Sequence, residues 1–253
     1  MDLGLENRVY VLTGASRGLG YATAACLVAD GARVVLAARD TARATAAAQR
    51  LGGPQHAIAV SADLGEPDCA ARLVATAKEH FGRLDGALIS VGGPKPGPSH
   101  AVSDEQWRAA FDTVFVGTVR AVRTVADALP AGGAVAVVLS TSARMPLPGL
   151  GISNGLRPGL AAVAKELADG YAGRGIRVVS LLPGRIMTDR NVELFAATDD
   201  PQQARAEAEA DIPLGRLGEP AEFGRVAAFV LSPAASYLTG ITLPVDGGAL
   251  PCP

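Results

Sequence analysis

Cysteine is scarce in this 253-residue chain, and Cys26, Cys69 and Cys252 lie far apart without metal-ligand spacing. That argues against a disulfide framework or a cysteine-ligated metal, and reduced thiols in a cytoplasmic protein are expected. Lysine is equally scarce: Lys78, Lys95 and Lys165 are the only three, so nearly all positive charge is arginine. The net charge of −2 and pI of about 5.9 leave no footprint for nucleic acid. No apolar run is long enough for a bilayer, and Met1–Tyr10 lacks the basic stretch and apolar core of a signal peptide. No linker divides the chain, so one domain over residues 1–253 is expected, with 49% hydrophobic residues to fill its core.

What is present is alternation. Short apolar runs at Val9–Thr13, Arg33–Ala38, Ala57–Val60, Gly86–Val91, Ala134–Ser140, Arg177–Leu182 and Ile241–Val245 read as strands buried on both faces. Ala-rich helical stretches separate them, the spacing of βαβ units, which predicts a doubly wound parallel α/β sheet with helices on both faces. Asp40 is placed to cap the helix after the second strand, and Ser103 with Gln106 forms a capping-box pattern. Pro67 and Pro220 suit first-turn positions. Met187–Asp211 is the most charged and least strand-like stretch, and it leaves the carboxyl edge of the sheet, so a substrate-covering lid is expected there ahead of the plainer reading of a solvated surface helix.

The strongest local signal is Thr13-Gly14-Ala15-Ser16-Arg17-Gly18-Leu19-Gly20, which follows a strand and opens a helix. Glycines permit a tight turn and let backbone N–H groups approach phosphate oxygens, and the helix N-terminus favours negative charge. Dinucleotide binding follows from that context. The second strand ends Leu36-Ala37-Ala38-Arg39-Asp40, with Ala38 where NAD-binding folds usually carry an acid. Arg17 and Arg39 suit a 2′-phosphate, so NADP(H) is the expected cofactor, provided that Asp40 caps its helix rather than facing the ribose.

Together with later segments, these residues resemble the short-chain dehydrogenase/reductase family over essentially the whole chain. The turn has that family's T-G-x-x-x-G-x-G spacing. Asp63 and Leu64 match the adenine-side segment, and Pro183, Gly184 and Thr188 match the P-G-x-x-x-T that runs along the nicotinamide. Ile212–Arg216, Leu238–Gly240 and Val245–Gly248 match the C-terminal pattern. The resemblance implies a Rossmann-like seven-stranded sheet in the order 3-2-1-4-5-6-7. It also implies hydride transfer between a nicotinamide and a carbonyl/alcohol pair, and a homotetramer or homodimer. The helix Leu160–Leu167 and the apolar tail would suit that assembly.

Against the family pattern, Ser140 keeps the serine, while Ser153 stands at the Tyr position, Arg157 at the Lys position and Val114 at the Asn position. Thr141 and Ser142 are near enough to Ser140 to substitute for it. The tyrosines are Tyr10, Tyr21, Tyr171 and Tyr237, none in this segment. Ser153 and Arg157 are one helical turn apart and share a face. Gly92-Gly93-Pro94 with Ser153-Asn154 and Arg157 is similar to a family branch labelled 3-oxoacyl-acyl-carrier-protein-reductase-like, which implies a small or acyl-carrier-bound carbonyl substrate. Lys95, in the Gly93–Pro98 loop, is an alternative proton donor if partly desolvated, against the plainer reading of a solvated lysine. His100 titrates in a useful range but equally fits a surface position. Arg144 and Arg185 could bind an anion or pair on the surface, and Trp107 and Phe111 read as helix packing. Three functions stay open: an NADP(H)-dependent carbonyl reductase with an atypical site, an NADP(H)-binding sensor or assembly partner, and a dehydratase or isomerase on the same scaffold.

Overall fold

The computed structural model describes residues 2–196 and 198–251; the expectation for Cys252 lies outside them. The seven strands are β1 (Val9–Thr13), β2 (Arg33–Ala38), β3 (Ala57–Ser61), β4 (Gly86–Ile89), β5 (Ala134–Val138), β6 (Arg177–Pro183) and β7 (Thr242–Val245). They form one parallel sheet in the order β3-β2-β1-β4-β5-β6-β7. Strand order reverses between β1 and β4, and a crevice opens at the carboxyl ends on either side of such a switch point.

Strand period two sends alternate side chains to opposite faces. On β1, Val9 and Val11 enter one apolar layer while Tyr10 and Leu12 enter the other. The first layer is filled from α3 (Cys69–Phe81), α5 (Gly117–Ala128) and α6 (Gly151–Ala172) by Leu73, Val122, Val125, Leu156 and Leu160. The second is filled from α1 (Gly18–Ala29), α2 (Thr41–Arg50) and α9 (Pro220–Leu231) by Leu27, Ala47, Phe223 and Val230. Full burial of each large side chain contributes about 1.5–3 kcal/mol. Helices α1 and α9 pack closely because Gly224 has no side chain: a Cβ there would lie 2.6 Å from the Ala22 carbonyl oxygen.

The remaining helices are α4 (Asp104–Ala110), α7 (Asp189–Ala196) and α8 (Pro201–Ala210), and a π-helical segment, Phe111–Val116, joins α4 to α5. Asp40 caps α2 by accepting from the Arg43 N–H, and Ser103 with Gln106 closes a capping box on α4. Pro220 opens α9. Pro67 differs from expectation: α3 starts at Cys69 with Asp68 as its N-cap, leaving the proline outside the first turn. β4 and β5 also end before Val91 and Ser140, because the chain there peels away from the ladder into loops over the crevice. Among the described residues, no helix is long and apolar enough to cross a membrane.

Candidate active site

The crevice holds a cavity of about 800 Å³, within the usual range for ligand sites. Gly14 and Gly18 adopt φ of +61° and +59°, the left-handed region that side chains rarely enter. A Cβ on Gly20 would lie 2.6 Å from Gly14 O, so only glycine lets α1 start this close to the turn. The Thr13 hydroxyl donates to Ser90 O at 2.7 Å and accepts from Ser90 N, pinning the end of β1 to that of β4. The cavity is lined by Gly14, Ser16 and Arg17 from this turn, by Arg39 and by Asp63 and Leu64. Asp63 accepts from the Gly65 N–H at 2.9 Å, which fixes that corner. Gly18, Leu19 and Gly20 lie behind the lining, in the first turn of α1.

Asp40 is committed to α2: Oδ1 accepts from Arg43 N at 3.0 Å and Oδ2 pairs with Arg43 Nε at 3.1 Å. Arg43 also lines the cavity, a residue the sequence reading missed. Its signal was available, because it stands three residues past the cap, on the first turn facing the cavity mouth. Arg39 is exposed at that mouth. Arg17 is engaged elsewhere, bonded to Glu193 at 2.9 Å and 3.9 Å from Asp189, both on α7.

Pro183, Gly184 and Thr188 do not line the cavity. Gly184 packs on Asp246, where a Cβ would meet Asp246 Cβ at 2.6 Å. Thr188, just ahead of α7, lies over the glycine turn: a Cβ on Gly18 would be 3.6 Å from its methyl group. Arg190 donates from Nη1 to Gly93 O and from Nη2 to Pro94 O, at 3.0 and 3.1 Å. Helix α7 is therefore tied both to the turn and to the loop after β4.

At the end of β5, Ser140 Oγ accepts from the Ser142 N–H at 3.1 Å. Ser142 Oγ and Ser153 Oγ are 2.9 Å apart and buried. Arg157, one turn along α6, is 3% exposed and donates from Nη1 to Val138 O at 3.0 Å, while its Nε has no partner. Burial, and behind it the like charge of Arg190, lowers Arg157 to about 10, so it stays charged at neutral pH. The structure thus brings Ser140, Ser142, Ser153 and Arg157 to one strand end. Val114 is buried in the core within the π-helical segment.

Lys95 lines the cavity and is exposed, as the plainer reading of a solvated lysine expects. His100 is exposed as well. Arg144 donates to Thr242 O and Oγ1, and Arg185 lies 4.0 Å from Asp211. Trp107 packs against Gly155 on α6, whereas Phe111 is 44% exposed and stacks on Phe115. The tyrosines are placed elsewhere. Tyr10 is fully buried against Leu231 O, its phenol pushed well up by burial, and Tyr21 lies under Arg50. Tyr171 bonds Asp127, and Tyr237 is fully exposed.

A family model described as enoyl-(acyl carrier protein) reductase matches residues 14–249. The chain is 37% identical over 256 residues to 3beta-hydroxysteroid dehydrogenase 1 of Eggerthella lenta, spanning 96% of this chain and 94% of that one. It is 35% identical over 249 residues to an uncharacterised oxidoreductase of Mycobacterium tuberculosis, spanning 96% and 92%. Among solved structures it is similar to a short-chain dehydrogenase/reductase, described as glucose/ribitol dehydrogenase, of Brucella melitensis (TM-score 0.92, 31% identity). It is also similar to L-sorbose reductase of Gluconobacter frateurii, solved with NADPH and L-sorbose (TM-score 0.92, 28% identity). Both of these superpositions cover 100% of each chain.

Proposed function

The chain belongs to the short-chain dehydrogenase/reductase family of oxidoreductases, and on that premise we propose that it is an NADP(H)-dependent carbonyl reductase working without the family's tyrosine and lysine. The carrying observation is the buried cluster at the end of β5, in which Ser142 and Ser153 share a 2.9 Å contact one turn from a buried guanidinium. The cofactor choice is supported by Arg39 and Arg43 at the cavity mouth and by the commitment of Asp40 to its helix cap. Two guanidiniums there can bond a 2′-phosphate, Arg43 exchanging its ion pair with Asp40 for it.

The glycine turn would hold the pyrophosphate on backbone N–H groups at the start of α1. When bound there, NADPH would supply a hydride for a carbonyl carbon. The carbonyl π pair moves to oxygen, and that oxygen then needs charge stabilisation and a proton. Ser140 donates its hydroxyl to the oxygen, and Arg157 supplies a fixed positive charge in a dry setting, where such preorganised groups act most strongly. The buried Ser153–Ser142 hydroxyl pair would relay the proton taken up in the reduction. An alkoxide is at least as basic as a serine oxygen, so the transfer is not uphill in itself. A serine is nonetheless a far poorer acid than a phenol. Loss of general acid catalysis of about 10²–10⁴-fold makes this a slow enzyme.

Consumption of NADPH across a panel of carbonyl compounds tests the reading. Ser140→Ala is expected to lower kcat by about 10²–10³-fold, the usual cost of removing one oxyanion donor. Tight NADPH binding without turnover of any carbonyl, with activity appearing only in Ser153→Tyr/Arg157→Lys, would refute it and leave a cofactor-binding protein.

A further inference from the structure

We propose that the substrate carries a carboxylate next to its carbonyl, and that Arg157 and Arg190 hold that carboxylate between the ends of β4 and β5. The inference rests on the oxidoreductase reading above and names its substrate class: short 2-oxo or 3-oxo carboxylic acids.

Arg157 is buried, yet among the described residues no carboxylate lies within ion-pair distance of it. One of its five N–H groups is satisfied by Val138 O, and Nε has no partner. An uncompensated buried charge is costly, and an apolar side chain would fill the position at less expense. Arg190 approaches from α7 and bonds two backbone carbonyls of the β4 loop, again with no acidic partner among the described residues. Acids are at hand on the same helix, but Asp189 and Glu193 both lie toward Arg17. The charges of α7 are therefore sorted, with its carboxylates at the glycine turn and its arginine at the β4 loop.

Arg157 bonds the last residue of β5, and Arg190 bonds the loop that follows β4, the strand paired with β5. The like charge of Arg190 acts on Arg157, and an anion between them would offset that repulsion. A carboxylate offers two coplanar oxygens, the shape that guanidinium forks match. Ser140 and the Ser142–Ser153 pair stand at the same strand end as the Val138 carbonyl that Arg157 bonds, which favours a carbonyl one or two bonds from the carboxylate.

The test is calorimetric binding of butanoate and of its uncharged analogue butanamide to the NADP⁺-saturated protein, in wild type, Arg190→Gln and Arg190→Lys. Glutamine keeps an N–H donor for Gly93 O or Pro94 O but loses the charge; lysine keeps the charge. Wild type is expected to bind butanoate at least tenfold more tightly than butanamide, Arg190→Gln to erase that difference and Arg190→Lys to retain most of it. NADPH affinity, read separately from cofactor fluorescence, is expected to stay unchanged in Arg190→Gln. Equal binding of the two probes by wild type, or an undiminished preference in Arg190→Gln, overturns the proposal. A parallel loss of NADPH affinity also overturns it, by giving the arginines to the cofactor's phosphates. A protein that binds no NADP⁺ refutes the oxidoreductase reading instead, and the two probes titrated into the free protein still read the carboxylate preference.

Discussion

Along the carboxyl edge of the sheet, the β1–β2 half lines the cavity with the glycine turn and exposed arginines, whereas the β4–β5 half holds buried hydroxyls and a buried guanidinium that lie outside the cavity lining. In the first half the shape comes from missing atoms: glycines at positive φ and a helix start with no Cβ in the way. In the second it comes from individual side chains held by tertiary packing, such as Ser142 against Ser153. On the proposed function, the first half would hold the cofactor's phosphates and the second would act on the carbonyl, so binding and chemistry should fail separately.

The most severe way to break the first half alone is Gly20→Val. The new Cβ would meet Gly14 O at 2.6 Å and Ala15 Cα at 2.8 Å, both backbone atoms that cannot yield cheaply. NADPH affinity is expected to fall by about 100-fold, equivalent to about 3 kcal/mol. The Ser142–Ser153 cluster lies on other elements and is expected to stay intact. Fluorescence titration with NADPH, beside a circular dichroism melt, checks both statements. Unchanged affinity would mean that the turn does not receive the pyrophosphate.

Arg157→Met probes the second half and is expected to change stability in the unusual direction. Removing a buried charge that lacks a counter-ion should stabilise the protein without ligand by about 1–4 kcal/mol. For a chain of this size that is a rise in Tm of about 2–4 °C per kcal/mol. Turnover should fall at the same time. The pH dependence has a definite sign. Folded Arg157 loses its proton near 10, below the ordinary arginine range, so the unfolded chain binds more protons above that pH. The penalty is thus fully present below about 10 and shrinks as pH rises above it, and Arg157→Met removes that slope. A variant that melts lower than wild type at pH 7 would show that the guanidinium is structural.

How much of this was legible in the sequence follows the same division. Residue type and short spacing carried the alternation of strands and helices, the Asp40 cap and the turn conformation, because φ > 0 at Gly14 and Gly18 is a property of glycine itself, while the strand order came from the family resemblance. Contacts set by tertiary distance were out of reach. Ser142 and Ser153 are eleven residues apart, with a loop and a helix start between them. Arg17 and Glu193 are 176 residues apart, so the partner of a cavity arginine could not be foreseen. Lys95 was considered for its loop, but a loop that runs over a cavity mouth leaves a lysine in solvent. Proline favours a first turn, but α3 starts two residues past Pro67, and Asp68 at the N-cap position bonds Arg72 rather than capping the helix.

A smaller effect sharpens the cofactor choice. Arg39→Ala and Arg43→Ala should each weaken NADPH by about tenfold, the value of one charge-assisted hydrogen bond, and leave NADH nearly unchanged. Equal losses for both cofactors would assign these arginines to the pyrophosphate or the adenine instead of the 2′-phosphate. The measurement also decides whether the selectivity of the first half resides in side chains while its affinity resides in backbone.

The smallest effect concerns the link between the halves. Glu193 on α7 holds Arg17 at 2.9 Å, and both side chains are about half or more exposed. If Arg17 also serves a phosphate of the cofactor, the carboxylate competes with it, and Glu193→Gln removes the competitor while leaving the helix intact. Exposed pairs are weak, so the expected gain in NADPH affinity is only about two- to threefold, and it should vanish at high salt. Asp189, 3.9 Å from the same guanidinium, would take up part of the slack, which makes Asp189→Asn/Glu193→Gln the sharper version. A loss of affinity in the double variant would reverse the interpretation: the ion pair would then be a clasp that α7 needs in order to close over the bound cofactor.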